Sequence, residues 1–289
     1  MTATNARLDD LARRYATVLA FGGPLVVVAM AVLDRRWLDE PLLIAAIAAS
    51  VVILRSAPVR LSKFSYLTQT GVAVLVGAVA APAATTGLGL CLGVLLSDWA
   101  LLRKTPWAAF VNAGREALAF AAAFGFYAAA VRSTGLVALQ LEFLPAVAVL
   151  VGSYFFLSRT LFYFSLLIRG KLTATDRSFL LRWEVVAYLV TVLAAGVAVW
   201  AIRTLAPAGW IPVGVALGVL GFLTRMLLEE AIAAEDLNKV HMMQSTITSN
   251  VSLRLSFEQL EELAYRLLDW GDFRVYRGAT DPVLSYRAA

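Results

Sequence analysis

The sequence predicts an all-α polytopic membrane protein: a bundle of about eight transmembrane helices, with a cytoplasmic helical arm and a small α+β fragment at the C-terminus. Three observations predict it. The 289-residue chain is 60% hydrophobic and only 16% charged, against about 45–50% and about 25% in an average soluble domain. Its apolar residues fall into eight runs separated by short polar loops. The hydrophobicity then stops at Leu228-Glu229-Glu230, beyond which the pattern is polar and amphipathic. A soluble fold would need eight fully buried helices and almost no amphipathic ones.

Residues 1–14 read as a cytoplasmic N-terminal segment. It is followed by a full-length span with no small-residue cleavage pattern, so the first span is expected to be retained as an anchor rather than removed. A helix crossing the hydrocarbon needs about 20 mostly apolar residues. The spans read as 15–33, 37–54, 66–80, 83–102, 106–131, 144–168, 183–202 and 210–228, so that 15–228 is the bundle. The second and third are the shortest, and Ala81-Pro82-Ala83-Ala84-Thr85-Thr86 makes an uncharged turn between the third and fourth.

Orientation follows the lysines and arginines of short loops. Arg7, Arg13, Arg14, Arg55, Arg60, Lys63, Arg103, Lys104, Arg169, Lys171, Arg177 and Arg182 fall on one side, and Arg35, Arg36, Arg132 and Arg203 on the other. Twelve against four predicts both termini in the cytoplasm. Trp37, Trp107, Trp183 and Trp210 stand at span ends, where amphipathic rings favour the headgroup layer. The expected location is a membrane, with lipids as the first partners; that it is a bacterial inner membrane is implied only by the resemblance described below.

Ionisable residues inside a span are costly and normally face the bundle interior with a partner. Asp98, Asn112, Arg115, Glu116 and Arg159 form the candidate intramembrane polar network. Arg115 is nine residues from Pro106 and Arg159 nine from Ile168, which places both roughly 13 Å from the cytoplasmic face at about 1.5 Å per residue. Glu116 and Asp98 are the counter-charges expected for them. Such a network either binds a ligand or ion, repacks as a switch, or simply fixes helix register. Gly89 and Gly93, and Gly214 and Gly218, make small-xxx-small patterns that permit close helix approach within the bundle or between protomers.

Residues 229–252 read as a linking helix continuous with the last span. Ile232, Val240, Met243, Ile247 and Val251 form its apolar stripe, suited to a parallel two-helix coiled coil or to packing on a following domain. Ser256 then fits a capping box with Gln259. Leu253, Phe257, Leu260, Ala264 and Leu267 recur at helical spacing. Residues 273–277 and 283–287 alternate as strands around Gly278-Ala279-Thr280-Asp281-Pro282. A segment of about 35 residues cannot bury an adequate core alone. The piece 253–289 is therefore expected either to continue in further chain or to pack on something else.

This order of spans, linking helix and the stretch LSFEQLEELAYRLLDWGDFRVYRG resembles the N-terminal half of bacterial membrane signalling proteins. In these a multi-span sensor region precedes a GAF domain and an HD-GYP or GGDEF output domain. The fifth-span stretch FVNAGREALAFAAAFGFYAAA is similar to a mid-membrane span of such proteins. The resemblance implies a sensory module cut within a GAF-like domain.

The composition argues against catalysis here. One histidine, His241, and one cysteine, Cys91, cannot build a multi-histidine or Cys/His metal site, and no GGDEF sequence occurs. No catalytic residue, cofactor or metal is expected, and a net charge of +5 is accounted for by loop arginines rather than nucleic acid. The sequence therefore predicts a non-catalytic sensory or anchoring module, homodimeric or part of a larger complex through its arm. An accessory subunit of a membrane complex and a small-solute or ion transporter are the alternatives.

Overall fold

The computed structural model describes residues 3–56, 58–60, 66–134, 144–169, 174–248, 272–276 and 282–287. The chain divides into two compact units, Met1–Val59 with Leu67–Thr224, and Arg60–Tyr66 with Arg225–Ala289.

The first unit is a helical bundle. Helix α1 runs Ala3–Leu33 and stops at Asp34, whose side chain accepts from the backbone N–H of Arg36 and opens a short 3-10 turn, Arg35–Asp39. Helix α2 follows at Pro41–Ser56, with proline at a position where its missing N–H costs nothing. Strands β1, Val59–Arg60, and β2, Tyr66–Leu67, pair. Helix α3, Thr70–Ala80, turns at Ala81-Pro82 into α4, Ala83–Leu96. Helix α5 is Pro106–Thr134, α6 Leu144–Ile168, α7 Ala174–Thr204 and α8 Pro207–Thr248.

Helix α1 packs on α5, α5 on α6 and α4, α2 on α4, and α3 on α7. The centre holds Val51, Val74, Leu90, Val94, Ala113, Phe120, Ala123 and Leu150, all nearly inaccessible. Outward faces are apolar instead. On α1, Val18, Phe21, Leu25, Val28 and Val32 are exposed at helical spacing, and on α7 Leu181, Val185, Leu189 and Leu193 are. An apolar rind over a core that is also apolar, apart from a few buried polar groups, is what contact with lipid tails favours.

Among the described residues, five helical segments are long and apolar enough to cross a membrane: within α1, in α4 taken together with the turn that continues it to Leu101, and within α6, α7 and α8. The other three expected spans differ for physical reasons. Helix α2 has 16 residues and α3 only 11, roughly 16 Å of rise for the latter. Helix α5 is long enough, but Asn112, Arg115 and Glu116 lower its hydropathy. Several boundaries also move. The third run begins at Thr70 rather than 66, because Tyr66 and Leu67 belong to β2. The seventh begins at Ala174, nine residues before Trp183. After α4 comes one wide turn, Ser97–Leu101, in which the Leu102 N–H donates to the Ser97 carbonyl at 2.9 Å. Lys104 N–H then donates to the Asp98 carbonyl at 2.9 Å, and Arg103 takes φ of 49°.

In the second unit, α8 continues without interruption through Leu228, Glu229 and Glu230. Arg225 bridges to Glu229 at 2.8 Å. Leu228 and Ile232 are buried, whereas Leu237, Val240 and Met242 are exposed. Strand β3, Asp272–Tyr276, pairs antiparallel with β4, Pro282–Arg287, in the register Phe273 with Tyr286 and Val275 with Leu284. Val251 and the expected amphipathic helix after Ser256 lie outside the described residues, as do the side chains of Met243 and Ile247.

Candidate functional site

The expected polar network resolves into three clusters, and two of them, at Asp98 and at Arg159, draw a partner from a helix outside that network. The first surrounds Asp98, which the wide turn after α4 carries into the bundle, fully buried. Its Oδ1 accepts from Arg55 Nη2 at 2.6 Å. Its Oδ2 accepts from Lys104 Nζ at 3.1 Å and Asn112 Nδ2 at 2.5 Å. Arg55 Nε donates to Ser97 Oγ at 3.0 Å, and that hydroxyl donates to the Val94 carbonyl. One carboxylate thus ties the end of α2, the turn after α4 and the first turns of α5. Burial pushes the Lys104 ammonium below its ordinary value, with Asp98 opposing the shift.

The other two clusters repeat one motif. On α5, Arg115 Nη2 donates to Glu116 Oε1 at 2.9 Å, and Tyr154 of α6 donates to Glu116 Oε2 at 3.0 Å. On α7, Glu184 Oε1 accepts from Arg159 Nη1 of α6 at 2.7 Å, and its Oε2 accepts from the Tyr163 hydroxyl at 2.6 Å. Each carboxylate therefore holds one guanidinium nitrogen and one phenol. Neither arginine uses its Nε, and both Nε atoms are buried without a partner. The Arg115 guanidinium also lies 5.1 Å above the Phe162 ring, a favourable face for a cation.

Both glutamates open on a cavity of about 30 Å3, room for about two water molecules. Thr70 and Gly71 of α3, Glu116 of α5, Ser158 and Arg159 of α6, and Glu184 and Tyr188 of α7 are among its walls. Helix α7 packs closely on α3. Toward α6 it reaches through long side chains: the Glu184 contacts, the Tyr188 hydroxyl donating to the Val151 carbonyl at 2.7 Å, and the Phe155–Tyr188 ring contact at 4.6 Å.

Two pairings differ from expectation. Arg159 takes its counter-charge from Glu184, not from Glu116 or Asp98, and Asp98 pairs with Arg55. In a span read from Trp183, Glu184 stands at the very edge; with α7 starting at Ala174, it is ten residues into the helix. Arg55 read as a loop cation because it ends an apolar run. An arginine closing an apolar helix of only 16 residues, with Asp98 closing another apolar run, was the available signal.

The glycine pairs behave differently from each other. A methyl on Gly89 would come within 2.8 Å of Ile47, and one on Gly93 within 2.7 Å of the Ala48 carbonyl, so α2 and α4 touch through them. Gly214 and Gly218 have open space around them. The closest backbone approach is one the pattern search missed. An added methyl at Gly23 would overlap the backbone of Gly114, and one at Gly114 the Leu19 carbonyl.

Among the described residues, no group of three or more His, Cys, Asp or Glu side chains is placed to hold a metal ion. No family model, curated protein or solved structure matches this chain.

Proposed function

We propose that this chain is a non-catalytic sensory and anchoring module of the bacterial inner membrane, with cytoplasmic termini, whose bundle packing is relayed through α8 to a partner or output domain. The observation that carries the reading is α8 itself. It passes from an apolar segment through Leu228-Glu229-Glu230 to Thr248 as one helix. A rigid element crossing from lipid to water can transmit rotation or displacement, which a flexible linker cannot. The resemblance of 255–278 to the entry of a GAF-like domain supports the same reading, as does the cavity bridged by side chains between α6 and α7.

The arm is proposed to pair with a second copy. Leu237 and Val240 are apolar and exposed beyond the charged boundary, where water rather than lipid is the alternative to a partner. Single cysteines at Leu237, Val240 and intervening positions, in a Cys91→Ser background and in native membranes, test this. Disulfide cross-linking with a three-to-four-residue period supports a parallel arm pair, and absence of cross-linking removes it. Glu184→Gln should change the cross-linking pattern, and proline in place of Ala233 should abolish that change. An unaltered pattern in Glu184→Gln would remove the relay.

The accessory-subunit reading draws on the exposed Phe156 and Phe164 of α6. Co-purification of a stoichiometric larger complex from native membranes would favour it. The transporter reading draws on the polar cavity, and solute flux into liposomes that depends on Arg115, Glu116 or Arg159 would favour it.

A further inference from the structure

Four of the hydroxyl groups that line the cavity spend their hydrogens elsewhere, and those of Thr68 and Thr70 lie 3.0 Å apart and share one hydrogen bond. Tyr154 donates to Glu116, Tyr188 to the Val151 carbonyl, Ser158 to the Phe155 carbonyl at 3.2 Å and Thr191 to the Ala187 carbonyl at 3.0 Å. What these four groups can offer the cavity is therefore oxygen lone pairs, beside the carboxylates of Glu116 and Glu184. The buried nitrogen without a partner among these walls is Arg159 Nε, and one hydrogen of the Thr68–Thr70 pair is also uncommitted. The lining is rich in oxygen acceptors. It suits a cation, because hard cations take oxygen ligands and ion pathways in membranes are lined by such groups.

Size and charge narrow the class. About 30 Å3, room for about two waters, favours a small ion over a bulky organic solute. The lining carboxylates are two, and no cluster of three acid, histidine or cysteine groups is present among the described residues, which disfavours a divalent metal. We propose that the cavity is a binding site for a small monovalent cation, and that the Arg159 guanidinium is a tethered competitor for it at Glu184. The Arg159–Glu184 contact uses one nitrogen and one oxygen, not the two-pronged geometry that makes such pairs strongest. An arriving cation then takes the place of Arg159 at the Glu184 carboxylate, and the bridge between α6 and α7 loosens. This goes beyond the sensory reading and does not depend on it.

The test reads thermal stability of the full chain in nanodiscs as sodium, potassium or ammonium replaces choline at constant ionic strength. In Arg159→Gln the tethered cation is gone and Glu184 is uncompensated. This variant should melt lower than wild type in choline and recover in one of the three small cations, since a ligand that binds only the folded state stabilises it; with the tethered competitor removed, the apparent affinity should exceed that of wild type by about tenfold or more. Arg159→Gln/Glu184→Gln, which restores neutrality, should lose the response. Ser158→Ala, which removes one lining oxygen and keeps both ion pairs, should fold normally and weaken the wild-type response. Equal stability in choline and in all three small cations for wild type and Arg159→Gln would overturn the proposal, as would a response that survives in the double variant. If Arg159→Gln does not fold, an unchanged cation response in Ser158→Ala, or no response in wild type, is the overturning result.

Discussion

Gly114 offers the sharpest test of the bundle's packing. A methyl there would be driven into the Leu19 carbonyl of α1, and the partner glycine, Gly23, faces the Gly114 backbone in the same way. Ordinary carbon contacts lie at about 3.5–4.0 Å, so Gly114→Ala must push two helix backbones apart by roughly 1.5 Å or more. No side chain can swing away, because the obstruction is main chain. Overpacking of this kind costs about 1–3 kcal/mol, and a backbone obstacle belongs at the upper end. Alanine returns about 1 kcal/mol of helix preference. The expected net loss is about 2 kcal/mol. Gly214→Ala meets nothing within 4 Å, so it keeps the full gain of about 1 kcal/mol. The two variants should therefore differ by about 3 kcal/mol, with opposite signs relative to wild type. Unfolding in mixed micelles of increasing SDS fraction, followed by circular dichroism, measures the difference. Equal stabilities, or a Gly214→Ala protein weaker than Gly114→Ala, would refute the close crossing of α1 and α5.

Three further outcomes are expected. Asp98→Asn leaves Arg55 buried without its counter-charge and should cost about 3–5 kcal/mol; Arg55→Met added to it should recover part of that loss in the same unfolding assay, and a strictly additive pair would count against the cluster. Tyr163→Phe removes the phenol from Glu184 and should cost about 1 kcal/mol, less than Glu184→Gln, which strands Arg159; Arg159 is a quarter exposed, so about 2–3 kcal/mol is expected there rather than the full cost of a buried pair. At the surface, hydrogen bonds from Arg36 hold the Asp34 carboxyl below the usual carboxylate range. A lowered folded-state pKa means that this contribution is present at higher pH and lost as pH falls through the lowered value. Arg36→Gln should move the Asp34 carboxyl titration, read by carbon NMR, upward toward the ordinary value.

The succession of apolar runs made the helical order of the bundle legible, because the bilayer punishes exceptions along every span. Arg115 and Glu116 could be recognised as an adjacent pair within one apolar run. The cross-helix pairs could not, since Arg55 with Asp98 and Arg159 with Glu184 join positions 43 and 25 residues apart and depend on which faces meet. The wide turn at Ser97–Leu101 carries no distinctive residue, yet it aims Asp98 inward. Gly89 and Gly93 announced themselves by spacing, whereas Gly23 and Gly114 sit on different helices and make no pattern within either one.

Helix α5 also bears on how the chain enters its membrane. Each charged residue near the middle of a lone segment costs roughly 2.5–3.5 kcal/mol at insertion, and α5 carries Arg115 and Glu116 side by side with Asn112 one turn earlier. Adjacent opposite charges lower that cost, but Tyr154, the partner that completes Glu116, arrives only with α6. Helix α5 is therefore expected to wait at the insertion machinery until α6 emerges, so the two would partition into lipid together. The pair that shapes the finished site would then also set the order of its biogenesis.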